Sequence, residues 1–171
     1  MIETHPFGNF IPPNIKYLFL GSFAGKQEDG YDWFYSNKRS QFWPILEEVY
    51  KVSLKTTKDQ QKLFTKLRMS ITDIILECER EKNSNLDINL KCIVFNIEAI
   101  KQILDKNKIR KIFLTSRFVE KLFRRQFKDL VSKYPQVELV TLPSPSPRYA
   151  LMSKSEKIKS YKKLLRPLMT P

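Results

Sequence analysis

Two loops hold most of the side chains in this chain that could do chemistry. The first runs from Gly21-Ser22-Phe23-Ala24-Gly25 to Tyr35-Ser36-Asn37-Lys38-Arg39-Ser40-Gln41-Phe42-Trp43; the second is Pro143-Ser144-Pro145-Ser146-Pro147-Arg148-Tyr149. Three prolines stiffen the second loop, because each fixes φ and removes an amide donor. Its remaining donors, the hydroxyls and amides of Ser144 and Ser146, suit a phosphodiester oxygen, and Arg148 is presented outward just beyond the rigid turn. Taken alone, Pro-Ser alternation more often marks a plain ordered loop. In the first loop Gly21 and Gly25 bracket a turn, since glycine permits backbone angles and close approaches that a Cβ would block, and the loop also carries a cluster of polar and aromatic residues.

Both loops follow apolar runs of strand length. Lys16 to Leu20 precedes the first, and Val137 to Leu142 precedes the second. A further buried strand is expected at Lys111 to Leu114, and a short strand or strand end at Ser70 to Ile75. Helical spacing predicts a helix from Ser40, with Ser40 as its N-cap and Phe42, Ile45, Leu46, Val49 and Tyr50 as its apolar face. Other helices are expected at Thr57 to Leu67, Ile97 to Leu104 and Ser153 to Leu168. One more, capped by Thr115-Ser116, would carry Phe118, Val119, Leu122, Phe123, Phe127, Leu130 and Val131 on one face. Cys78 to Leu90 is polar and Asn-rich, and reads as a long connection with Asn83-Ser84-Asn85 at its tip. Alternating strands and helices predict one α/β domain over residues 1–171, with three layers and a mainly parallel four-stranded sheet. In such a sheet the loops leaving the C-terminal strand ends face each other across one cleft.

At 171 residues the chain is long enough to bury a real core, and 42% hydrophobic residues fit a globular protein. No apolar run is long enough to span a bilayer and the N-terminus lacks a signal-peptide pattern, so a cytoplasmic, monomeric protein with no membrane partner is expected. Two cysteines and one histidine cannot build an ordinary zinc site, so no metal or other cofactor is expected. Cys78 and Cys92 are expected to be structural and His5 to have a surface or packing role. The net charge of +13 is unevenly spread: residues 1–100 are neutral, and residues 101–171 carry 18 Lys+Arg against 5 Asp+Glu. Such a half-basic chain suits a polyanion, either nucleic acid or a membrane surface; the plainer alternative is a solvated Lys-rich surface.

Together, Gly-Ser-Phe-Ala-Gly, Phe-Tyr-Ser-Asn-Lys-Arg-Ser-Gln-Phe-Trp and Leu-Pro-Ser-Pro-Ser-Pro resemble the uracil-DNA glycosylase superfamily. The hypoxanthine-DNA glycosylase branch is most similar, with G-S-F-P-G, Y-Y-x-H-P-R-N-x-F-W and L-P-S-T-S-P; mismatch-specific uracil- and thymine-DNA glycosylases are similar at greater distance. Ser70 to Asp73 and Cys78-Glu79-Arg80 also look like that branch. The resemblance implies a DNA-repair enzyme that flips a deaminated base, uracil or hypoxanthine, out of DNA and hydrolyses its N-glycosidic bond. It implies that Tyr35 stacks on the base, that Gly21, Ser22, Phe23, Gly25 and Phe42 line the base and sugar pocket, and that Ser144 and Ser146 grip phosphates. Arg148 would fill the hole left in the duplex; Phe42 and Trp43 also read as core.

One departure stands out. Family members orient the attacking water with an Asn, Asp or Glu. This chain has Ser22 at the first-motif position and Ser40 before x-Phe-Trp, with Asn37-Lys38 in place of His-Pro. Catalysis would then fall to Ser40 and Asn37, with Asp29 and Asp32 on the same loop as substitutes. The alternative is a catalytically weak or inactive DNA-binding protein of the same fold. A domain for some other phosphorylated ligand is the third reading, and the chain lacks a G-x-x-x-x-G-K loop for it.

Overall fold

The computed structural model describes residues 1–25, 32–81, 84 and 86–169. Asp29, Asn83 and Asn85 lie outside the described residues. The first half of the chain forms β1 (Ile2–Thr4), β2 (Tyr17–Gly21), α1 (Phe42–Tyr50), α2 (Thr57–Lys66), β3 (Met69–Asp73), β4 (Ile75–Arg80) and β5 (Leu90–Phe95). The second forms α3 (Ile97–Lys106), β6 (Lys111–Leu114), α4 (Arg117–Gln126), α5 (Lys128–Ser132), β7 (Glu138–Thr141) and α6 (Lys154–Leu165). Short 3-10 turns occupy Asp87–Asn89 and Arg166–Met169.

The expected parallel sheet is present, in the order β3-β2-β6-β7. Leu20 pairs in register with Thr72 and with Leu114, and Leu114 pairs with Thr141, so all four strands end along one edge. Side chains alternate across the sheet as the pleat requires. Phe19, Phe113, Met69 and Ile71 pack on one face with Phe42, Phe64, Tyr161 and Leu165 from α1, α2 and α6. Leu18, Leu20, Ile112 and Leu114 pack on the other with Ile100, Ile103, Val119 and Phe123 from α3 and α4. Fully burying such a side chain contributes about 1.5–3 kcal/mol.

Sequence reasoning missed the second sheet. Cys78 to Leu90 is not simply one long connection, because it begins inside β4 and ends at the start of β5: these strands form an antiparallel pair, and β1 adds to the edge of β4. The β4–β5 register slips twice, between Ile75 and Glu77 and between Glu77 and Glu79. Bulges break the two-residue period, so the buried positions of β4 fall at Ile75 and Cys78 rather than in alternation. Cys78 is buried as expected, but Cys92 is exposed, on the outer face of β5.

Helix starts follow side-chain chemistry. Thr56 with Asp59, and Ser153 with Glu156, form reciprocal capping boxes at α2 and α6, and the Ser116 hydroxyl accepts from the Val119 amide at α4. Each such cap contributes about 1 kcal/mol. The helix expected from Ser40 begins instead at Phe42, although the Ser40 hydroxyl still accepts from the Phe42 amide at 3.3 Å. The long amphipathic helix expected after Ser116 is broken at Phe127, whose φ of −110° is not helical, into α4 and α5. Phe127 remains buried, so the apolar stripe survives the break.

Candidate functional site

Among the parallel strands, β2 leads to β3 on one side, and the chain then crosses to β6 on the other. The connections therefore diverge between β2 and β6, which opens a crevice at the strands' C-terminal ends. A cavity of about 370 Å³ lies there, within the usual range for small-molecule sites. Ser22, Phe23 and Gly25 approach it from the loop after β2, and Thr115 and Ser116 from the end of β6. Residues 144–148 after β7 form its rim, and Arg80 and Asp87 reach it from the second sheet.

Tyr35 forms one wall. Its ring lies nearly parallel to Phe42, with centroids 4.2 Å apart and planes at 24°. Phe42 itself is fully buried behind it. Thr115 donates its hydroxyl proton to the Leu20 carbonyl, so the Tyr35 hydroxyl is the donor in its 2.7 Å bond to Thr115. Burial pushes the Tyr35 phenol well above its ordinary value, with the Asp73 charge adding to the effect, so it acts as a neutral donor. The backbone at Tyr35 has a φ of +56°, a strained conformation for a bulky residue that costs about 1–3 kcal/mol and persists only where neighbours hold it. Gly21 makes this placement possible. A Cβ there would lie 2.6 Å from the Tyr35 hydroxyl and would collide with Asp73 Oδ1.

Behind Tyr35 lies a polar pair that sequence reasoning did not find. His5 is not on the surface: its side chain is 4% exposed and its Nε2 lies 2.7 Å from Asp73 Oδ2. The Phe7 amide donates to His5 Nδ1, which leaves the ring proton on Nε2, facing the carboxylate. Phe7, Phe23 and Phe34 enclose the imidazole. A smaller recess lined by Phe23, Phe34, Tyr35 and Asp73 adjoins the main cavity.

The Pro-Ser loop is held from beneath by its carbonyls. Tyr161 donates to the Pro143 carbonyl at 2.7 Å, the Gln41 amide to that of Pro145 at 2.9 Å, and Lys157 Nζ to that of Ser146 at 2.8 Å. Lys157 is 1% exposed and also donates to Gln41 Oε1 at 2.9 Å, so one buried cation ties the two loops together. Within the loop the Ser146 amide donates to Ser144 Oγ, and the Arg148 amide to Ser146 Oγ. The amide of Ser146 is thus engaged within the loop, while among the described residues neither hydroxyl donates to another protein group. Arg148 is exposed at the rim, and Leu151 just beyond it is 85% exposed.

Asn37 and Ser40 both line the cavity. Asn37 Oδ1 accepts from the Arg39 amide at 2.8 Å and Ser40 Oγ accepts from Phe42, so each spends acceptor capacity on local backbone. Asp32 is exposed and does not line the cavity. The carboxylate that does is Asp87, in the short turn between β4 and β5. Burial pushes its carboxyl up to about 6, with the Asp73 charge adding to the rise, while the Ser22 hydroxyl beside it favours the ionised form. No flanking motif in the Asn-rich stretch singles it out.

This shift has a consequence for stability. A carboxyl whose folded-state pKa lies above its unfolded value destabilises the fold as pH rises through the window between them, here from about 4 to about 6. Asp87→Asn keeps the shape and removes the buried charge. It is expected to stabilise the protein by about 1–2 kcal/mol at pH ~8 and by nothing measurable near pH ~3, below both pKa values, where both states are largely protonated. Denaturant unfolding at the two pH values checks this.

The family model of the uracil DNA glycosylase superfamily matches residues 8–168. The chain belongs to the uracil DNA glycosylase superfamily. No protein with a curated description matches it. Among solved structures it is similar to the solution NMR structure titled "a putative Uracil DNA glycosylase from Methanosarcina acetivorans", with a TM-score of 0.72 and 19% identity over 96% of this chain and 99% of that one. That likeness supports the fold. Of the residues that the superfamily resemblance singled out, the fold brings Ser22, Phe23, Gly25, Tyr35, Asn37, Ser40, Ser144, Ser146 and Arg148 to one cavity. Gly21 and Phe42 stand behind it as supports for Tyr35.

Proposed function

We propose that this chain is a monofunctional DNA glycosylase that flips a deaminated base, uracil or hypoxanthine, out of DNA and hydrolyses its N-glycosidic bond. The observation that carries this reading is the Tyr35-walled cavity under a rigid, hydroxyl-bearing rim. Tyr35 offers its ring as the stacking surface for an extruded base, with the Ser22–Gly25 loop as the floor. Ser144 and Ser146 donate their hydroxyl protons to phosphate oxygens of the target strand. Arg148 fills the gap left in the duplex, and the exposed side chain of Leu151 beside it offers an apolar surface to the unstacked neighbours. Asn37 and Ser40 hold the attacking water. The monomeric protein works in the cytoplasm without a metal or other cofactor, in keeping with its few cysteine and histidine residues.

A second reading, binding without efficient excision, draws support from the serines at 22 and 40 and from the spent acceptor at Ser40. Duplexes with a single uracil, hypoxanthine or xanthine separate the two. Alkali-labile abasic sites are expected with uracil or hypoxanthine at stoichiometric protein. Binding without cleavage of any of the three duplexes would leave only the second reading. Affinity for plain duplex should fall steeply with salt as Lys and Arg contacts with phosphate are lost; a flat salt response would contradict DNA as partner of the basic half.

A further inference from the structure

Hydrolysis at C1′ needs more than the hydroxyl and amide groups of the first loop. Positive charge builds on the deoxyribose as the bond to the base lengthens, and the attacking water must give up a proton. An anion that accepts hydrogen bonds serves both needs. Ser40 Oγ and Asn37 Oδ1 are neutral and each already accepts a backbone amide. Asp73 Oδ2 is engaged by His5. Arg39, Arg80 and Arg148, the other charged groups at the cavity, are cations. Among the described residues, Asp87 is the only acidic side chain lining the main cavity, and it comes from the turn between β4 and β5 rather than from the loop where an amide or carboxylate was expected.

Building on the glycosylase reading, we infer that Asp87 is a catalytic residue of this site, the carboxylate that faces the deoxyribose and receives the proton of the attacking water. In the step it serves, the C1′–N bond breaks and its electron pair leaves with the base, which takes a proton from solvent. The water oxygen forms the new C1′–O bond, and its proton passes to the Asp87 carboxylate and then to solvent. Ser22 lines the same cavity, and its hydroxyl favours the ionised form of the carboxylate. This gives the serine at the first-motif position a task of its own: it keeps the acid charged instead of replacing it. The groups that set the charge of Asp87 come from three elements. Ser22 after β2 and Arg80 on β4 favour the ionised form, while Asp73 at the end of β3 and burial oppose it.

The test reads the electrostatics of the site whether or not the protein cuts. One duplex carries a pyrrolidine abasic analogue, a ring cation in place of the sugar; the other carries the neutral tetrahydrofuran analogue. The wild-type protein should prefer the cationic duplex by at least about tenfold at pH ~8 and lose that preference as pH falls through ~6. Asp87→Asn should abolish the preference while retaining affinity for the neutral duplex. Ser22→Ala removes the hydroxyl that favours the ionised form, so the midpoint should move to higher pH, a change that a merely structural role would not produce. Full preference in Asp87→Asn, or a wild-type preference independent of pH from ~5 to ~8, would overturn the assignment. An Asp87-dependent preference in a protein that excises no base would sink the glycosylase reading and leave Asp87 as the anion of the site.

Discussion

Tyr35→Ala is expected to slow single-turnover excision from a lesion duplex by roughly 30- to 100-fold while changing affinity for undamaged duplex by less than about twofold. Stacking of a base on an aromatic side chain contributes about 1–3 kcal/mol, and the upper end applies here because the ring is already fixed. Phe42 supports it from behind at 4.2 Å, and Thr115 holds its hydroxyl at 2.7 Å. An extruded base meets a surface whose ordering cost was met on folding. Tyr35→Phe keeps the ring and loses only the bond to Thr115, so it should stay within about fivefold of wild type. Wild-type excision by Tyr35→Ala would mean that the base is held elsewhere.

Lys157→Met is expected to destabilise the protein by about 2–3 kcal/mol and to weaken DNA binding by about tenfold. Lys157 is buried to 1% and donates to Gln41 Oε1 and to the Ser146 carbonyl, with the Tyr149 ring 5.4 Å from its ammonium. Methionine fills nearly the same volume but leaves both acceptors without their donor, and hydrogen bonds from a charged group contribute about 1.5–3 kcal/mol each. Relief of the buried charge offsets part of that loss. The effect on DNA comes from geometry. Lys157 fixes the carbonyl of Ser146, a residue that lines the cavity, and binds the side chain of Gln41, whose own amide holds Pro145. Urea unfolding and duplex titration measure the two effects. Loss of stability with unchanged DNA affinity would confine Lys157 to the core.

The central sheet is legible because its two inner strands, β2 and β6, are built on the short continuous apolar runs Leu18-Phe19-Leu20 and Ile112-Phe113-Leu114, as burial on both faces demands. The motif loops follow from it, since a strand end fixes where its loop must emerge. The second sheet is hidden by its two register slips, which place Ile75 and Cys78 three apart instead of two. Lys157 carries a readable signal. It lies four and eight residues before Tyr161 and Leu165, on the apolar stripe of α6, which is the wrong face for a solvated lysine. The pairing of His5 with Asp73 spans 68 residues, and nothing local in the His-Pro-Phe lead-in announces it. Asp87 is the hardest case. Its meaning comes from burial beside Ser22, a contact between the loop after β2 and a turn of the second sheet, and no spacing within either segment encodes that meeting.

The structure of a complex with duplex carrying 2′-fluoro-2′-deoxyuridine, whose glycosidic bond resists cleavage, tests the central claim most directly. The uracil should be extruded and lie flat against the Tyr35 ring at about 3.5–4 Å, as stacked π-faces do, with Ser144 and Ser146 on the flanking phosphates. A uracil still stacked in the duplex, or bound outside the cavity between Ser22 and Arg148, would contradict the account.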